Sequence, residues 1–133
     1  MKIYGVMFAI LMLITLAACG NSNEEPTNSE GAIVTFLVAG REEYKIQLTD
    51  PADIEVARNL LEGNEDPKIP NGIVVRGEPG INGGYSWHID PASFEFADMT
   101  TEVCDGLPSD VENEIITSEY YCPWTADVVA IDE

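Results

Sequence analysis

The sequence predicts an α+β domain: a mainly antiparallel sheet of six or seven strands with one main helix, one short helix and one disulfide. Three observations carry this. Ala32–Ala39 (AIVTFLVA) is a nearly continuous apolar run rich in β-branched residues, bounded by Gly31 and Gly40. Such a run suits a strand buried on both faces in the middle of a sheet. Period-two alternation then recurs at Tyr44, Ile46 and Leu48 and at Tyr85, Trp87 and Ile89, which marks half-buried strands. Between these lies Asp50-Pro51-Ala52-Asp53, a helix-opening signal followed by apolar residues at helical spacing.

Taken in order, Gly40–Glu43 reads as a turn and Tyr44–Leu48 as the second strand. Asp50 is the expected N-cap, Pro51 suits the first helical position, and Asp53 places charge on the positive end of the helix dipole. Ile54, Ala57 and Leu61 are spaced for one buried face, with Leu60 beside them, and Gly63 stops the helix. Asn64–Asn71 is polar and carries prolines, so a loop is expected there, with the third strand confined to Ile73–Arg76. Gly77–Gly84 (GEPGINGG) is glycine-rich. It lacks the Lys-Ser/Thr of a phosphate loop and opens no helix, so it reads as a connection.

The last third, Ile81–Trp124, holds both tryptophans, three of the five tyrosines and two of the three cysteines. These rings are expected to be buried. Tyr85–Ile89 forms a fourth strand ended by Pro91, Phe94 and Phe96 a fifth, and Thr100–Cys104 a sixth. Ser109 with Glu112 has a capping-box pattern, and Val111, Ile115 and Ile116 supply the inner face of the short helix it opens. Ala126–Ile131 closes the sheet. The folded unit is 32–133, a single α+β domain.

The amino terminus predicts an address. Lys2 is followed by an apolar run from Ile3 to Ile14, too short for a comfortable membrane span and suited to a signal peptide over 1–18. Leu16-Ala17-Ala18-Cys19 resembles the bacterial lipobox. That resemblance implies cleavage before Cys19, a diacylglycerol on its thiol, palmitate as a further chain, and a lipoprotein held at the cell membrane or cell surface on the extracytoplasmic side. Each buried methylene contributes about 0.8 kcal/mol to such an anchor. Asn21–Gly31 (NSNEEPTNSEG) has no aliphatic or aromatic residue, so 19–31 is expected to be a flexible, lipidated tether.

Charge limits the partners. The chain has 24 acids against 6 bases, a net charge of −18; with Lys2 removed, 5 bases face 24 acids and the charge is −19. Phosphate backbones would be repelled, so nucleic acid is not an expected partner. Chemistry is sparse. With Cys19 lipidated in an oxidising compartment, Cys104 and Cys122 remain as an even pair, which reads as one disulfide; a thiol nucleophile or metal ligation are the alternatives. His88 is the only histidine, and Trp87, His88 and Asp90 form the candidate binding cluster. A histidine–carboxylate pair suits general base catalysis, but no nucleophile elbow accompanies it, and a histidine donating to a backbone carbonyl is the structural alternative. Asp98, Glu102, Asp105, Asp110, Glu112 and Glu114 are dense, yet only Asp105-Gly106 approaches an EF-hand order, so no metal and no cofactor are assigned.

The segments IPNGIVVRG, GINGGYSWHIDP, FEFADMTTEVCDGLP and YYCPWTADVVAI resemble a family of small secreted bacterial domains, a similar domain occurring at the amino terminus of a larger slime-mould protein. The likeness runs from about Val34 to Ile131. It implies a free-standing exported module and carries over no catalytic residue. The expected function is therefore a membrane-anchored, non-enzymatic module for an unknown protein or small-molecule ligand. The alternatives are a small hydrolase or metal-dependent enzyme using His88 and nearby carboxylates, and an inhibitor presenting Gly77–Gly84 to a secreted enzyme.

Overall fold

The computed structural model describes residues 31–133. Its first sheet is organised on β1 (Ala32–Val38), where Ala32, Val34, Phe36 and Val38 are buried on one face and Thr35 on the other. β1 lies between β2 (Glu42–Leu48) and β7 (Ala126–Asp132), antiparallel to both. The expected central position thus follows from the two-sided burial of the run. β2 buries Tyr44, Ile46 and Leu48 and exposes the alternate positions, as its period predicts. Along β7, Thr35 faces Ala130 but Phe36 faces Val128, so Val129 is an extra residue forming a bulge.

α1 (Pro51–Glu62) begins as the sequence dictates. Asp50 accepts from Ala52 N at 2.8 Å, and Pro51 occupies a first-turn position where no hydrogen bond is lost. Gly63 stops it in the left-handed region (φ 75°), with Asn64 N donating to Asn59 O at 2.8 Å. The inner face is Ile54 and Ala57 only. Helical spacing places Leu61 on that face too, yet it is 45% exposed. Leu60, and not Leu61, borders β7 across a depression of about 120 Å³ that Ala126, Asp127 and Val128 also line.

The second sheet is built on β3 (Ile69–Arg76), which starts four residues earlier than predicted. It pairs with β5 (Glu95–Ala97) at its start, β6 (Tyr120–Tyr121) in its middle and β4 (Trp87–Ile89) at its end. Pro70 and Gly72, both strand breakers by propensity, sit inside it. At Gly72 a Cβ would collide with Ile89 Cγ2, so glycine is the residue that lets the two strands close. Between β4 and β5, Asp90 caps a short 3-10 turn (Pro91–Ser93) by accepting from Ala92 N at 3.0 Å. Ser93 Oγ there accepts from Ile73 N at 2.8 Å.

Thr100–Cys104 is not a strand: Glu102–Cys104 forms a 3-10 turn whose backbone carries Cys104 towards Cys122, with Cys122 N donating to Cys104 O at 2.8 Å. α2 (Pro108–Glu112) is capped differently from expectation. Asp110, not Glu112, reaches back to the Leu107 amide (2.9 Å). Ser109 gives both its amide and its hydroxyl to Glu42 (2.9 Å each), and Glu112 accepts from Ser86. Val111 and Ile116 are buried as predicted, but the chain turns at Glu114 (φ 58°) and leaves Ile115 in solvent.

The two sheets meet through a chain of aromatic contacts. Phe36 lies 5.5 Å from Tyr44 and within 6.5 Å of Phe94 and Phe96; Tyr44 lies 5.2 Å from Tyr121 and 5.9 Å from Trp87; Tyr85 lies 5.5 Å from Trp87. Such pairs add about 0.5–1.5 kcal/mol each beyond area burial. Not every ring of the last third joins them. Tyr120 and Trp124 are exposed, a departure from the expectation that both tryptophans and all three tyrosines would be buried. Tyr120 and Tyr121 are neighbours on one strand and so point to opposite faces. Trp124 follows Cys122-Pro123 and lies outside the core.

Candidate functional site

Trp87, His88 and Asp90, the candidate binding cluster, each have separate surroundings. Trp87 is 1% exposed and presents no ring face to solvent. His88 Nδ1 lies 2.6 Å from Glu78 O; a carbonyl only accepts, so the ring donates from Nδ1. Gly80 lies against the same ring, leaving a Cβ there only 3.0 Å from His88 Cγ. Asp90 is spent on capping the Pro91–Ser93 turn. His88 and Asp90 therefore act on neighbouring loops rather than on each other.

The glycine-rich connection is held by a residue that sequence reasoning passed over. Asn82 is 1% exposed; its Oδ1 accepts from Lys45 N and its Nδ2 donates to Trp87 O, each at 3.0 Å. It ties β2 to the start of β4 and fixes Gly77–Gly84 on the domain. The available signal was a single amide side chain between Ile81 and Gly83, short and able to replace backbone partners.

A second region carries the exposed apolar surface. Cys104 and Cys122 are joined, with Cα atoms 5.0 Å apart, and both are buried. Around the pair lie three adjoining depressions. The first, about 530 Å³, runs from Asn71 and Glu95 past Met99 and Val103 to Glu119 and Tyr120. The second, about 210 Å³, shares Met99 and Thr100 with the first and adds Ile69, Asp98 and Trp124. The third, about 480 Å³, shares Ile69, Asp98 and Trp124 and continues to Thr125, Ala126 and Asp127. Their shared walls make them one grooved face, with Met99 common to the first two and Trp124 to the last two.

Both side chains are exposed by construction. Met99 is 86% and Val103 71% exposed, on a segment between β5 and the 3-10 turn that buries only Cys104. Trp124 is 42% exposed yet fixed at two points: its amide donates to Asp105 Oδ1 and its Nε1 to Thr100 Oγ1, each at 2.8 Å. The indole N–H is thereby occupied while the side chain remains partly exposed. Tyr121 behind it is anchored to Gly106 O at 2.9 Å, and burial holds its phenol far above the usual tyrosine range, as it does for Tyr44. The remaining exposed apolar residues, Leu61, Ile115 and Val129, line none of the three depressions.

The groove is acidic. Glu95, Glu119, Asp98 and Asp127 border it, and its one base, Lys68, is paired with Asp98 at 2.5 Å, which raises the ammonium pKa. Glu95 accepts from Asn71 Nδ2 at 3.1 Å and has no cationic partner. Among the described residues no three His, Cys, Asp or Glu side chains come together to hold a metal, and no helix is long and apolar enough to cross a membrane. Residues 1–30, with the predicted signal, Cys19 and all of the tether except Gly31, lie outside the described residues.

The fold and this surface define a small disulfide-stapled α+β domain with two antiparallel sheets and an exposed apolar, acidic groove. Residues 30–133 match the family described as the BP-74 N-terminal domain, and the chain belongs to that family. The family is one of domains found at the amino terminus of larger proteins, which agrees with the resemblance at that level. No curated protein and no solved structure gave a match.

Proposed function

We propose that this protein is an exported bacterial lipoprotein, tethered through Cys19, whose domain is a non-enzymatic binding module. The observation that carries the reading is the groove beside Cys104, where Met99 is exposed with Val103 and Tyr120 in one depression and with Trp124 in the next. Contiguous exposed apolar surface rimmed by polar groups marks interaction sites, whereas singly scattered apolar residues do not. A domain with a modest core has no energetic reason to leave a tryptophan and a methionine together in water. Asp90 caps its own turn and makes no hydrogen bond to His88, so the histidine–carboxylate pair that general base catalysis would draw on is not formed, which supports binding over hydrolysis.

The test has two arms. A panel of peptides and oligosaccharides is applied to the wild type, to Met99→Ala/Trp124→Ala and to His88→Gln. A hydrolase substrate screen is run on the wild type and His88→Gln, with and without divalent metal. The expected result is a ligand retained by wild type and His88→Gln and lost by the double variant, with no turnover. Turnover that disappears in a folded His88→Gln protein overturns the binding reading.

A further inference from the structure

Resting on that reading, we infer that the occupant of the groove is an extended polypeptide segment in which lysine or arginine alternates with apolar side chains. Two independent properties of the surface select this chemistry. The first is charge: Glu95, Glu119 and Asp127 border the groove without a basic partner, and Asp98 meets only Lys68. Among the described residues the only ion pairs are those of Arg58 and Lys68, so the domain's acid excess is not neutralised internally. A cationic segment supplies the missing countercharge and is steered to the surface as it approaches.

The second is the kind of apolar surface. Met99 is unbranched and polarisable and adapts to varied side chains. Trp124 has its N–H committed to Thr100, so its partly exposed side chain offers an aromatic ring and no donor. A ring face beside carboxylates binds a cation–apolar pair well, because the ring attracts the cation and the aliphatic stem covers the ring. A neutral sugar would use the ring but leave the carboxylates uncompensated. A purely cationic chain would use the carboxylates but leave Met99 and Val103 in water. The exposed apolar residues elsewhere, Leu61, Ile115 and Val129, line none of these depressions.

The test is a titration of the full-length lipoprotein, purified in nonionic detergent, with a capped dodecapeptide alternating lysine and leucine. Comparisons are the same peptide with lysine replaced by glutamine, the same with leucine replaced by serine, and a neutral β-glucan oligosaccharide. The expected result is saturable binding of the lysine–leucine peptide, weakened at least about tenfold by either replacement, as for loss of a central contact. Met99→Ala and Trp124→Ala each weaken it about fivefold or more, Trp124→Phe retains most of it, and Leu61→Ala changes nothing. Met99 is almost wholly exposed, so its variant keeps the fold. Equal binding of the lysine–serine peptide, or an equal effect of Leu61→Ala, overturns the assignment by reducing it to bulk charge. Absence of saturable peptide binding also overturns it. Binding of the glucan through Met99 in its place refutes the peptide occupant while leaving the binding module standing.

Discussion

Asn82→Ala is expected to be among the most damaging single substitutions in the domain, through lost hydrogen bonds and not lost apolar packing. The side chain satisfies Lys45 N and Trp87 O, each at 3.0 Å, and is 1% exposed. Removing it loses two hydrogen bonds and leaves an acceptor unsatisfied in a buried place and a donor in a partly buried one. Each orphaned group costs about 1–3 kcal/mol, so the loss is about 2–6 kcal/mol against a typical total of about 5–15 kcal/mol. Asn82→Asp separates the two bonds. The carboxylate still accepts from Lys45 N but faces Trp87 O without a proton, so its folded pKa is raised. Its destabilisation is therefore present at neutral pH and relieved as pH falls through that raised value, where the protonated carboxyl donates again. The assay is urea unfolding of wild type and both variants at pH 7 and pH 4.5, followed by tryptophan fluorescence. A loss below about 0.5 kcal/mol for Asn82→Ala, or an Asn82→Asp deficit that does not shrink in acid relative to wild type, refutes the clamp.

Other expectations follow from the same geometry. Leu61→Ala should cost no more than about 0.5 kcal/mol and Phe36→Ala about 3–5 kcal/mol, because one faces water and the other joins the two sheets; reversed magnitudes in urea unfolding would place the helix face wrongly. Burial raises the phenols of Tyr44 and Tyr121, so the unfolded chain releases their protons near pH 10 while the folded one keeps them. Stability should then fall above about pH 10 by up to about 2.7 kcal/mol per pH unit for the two groups, and phenolate absorbance that reports both rings ionised in still-folded protein would contradict this. Cys19→Ala should abolish fatty-acid labelling and membrane retention; equal label in wild type and variant would sink the lipobox reading.

Most of the fold was legible where one local signal dominates. The two-sided apolar run of β1, the alternation of β2 and the Asp50-Pro51 and Gly63 boundaries of α1 each have one physical cause, written in adjacent residues. The cysteine pair was legible by elimination. The misses share a different cause. Pro70 and Gly72 argue against a strand locally, yet the close approach of Ile89 makes glycine necessary there. Leu61 follows the helical period, but the period does not say how wide a stripe of the helix is covered. Ser109 and Glu112 fit a capping box, but Glu42 on β2 and Ser86 take up their hydrogen-bonding groups instead. The groove was invisible because its walls come from residues 39–40, 67–71, 95–104 and 118–127, which the pairing of β3 with β5 and β6 and of β1 with β7 brings together. Trp87 and His88 stand out in the sequence as a motif, while Met99 and Trp124 carry the exposed surface.

Met99 also offers the most direct measurement of the central claim. The chain has four methionines, and Met1, Met7 and Met12 precede Cys19, so Met99 is the only one expected in the processed protein. Its methyl group, labelled with carbon-13, should give a single resonance that shifts saturably with the lysine–leucine peptide and moves far less in Trp124→Ala. Calorimetry on the same samples reports binding independently. A Met99 resonance that stays in place while calorimetry records saturable binding would put the ligand elsewhere and contradict the assignment of this groove.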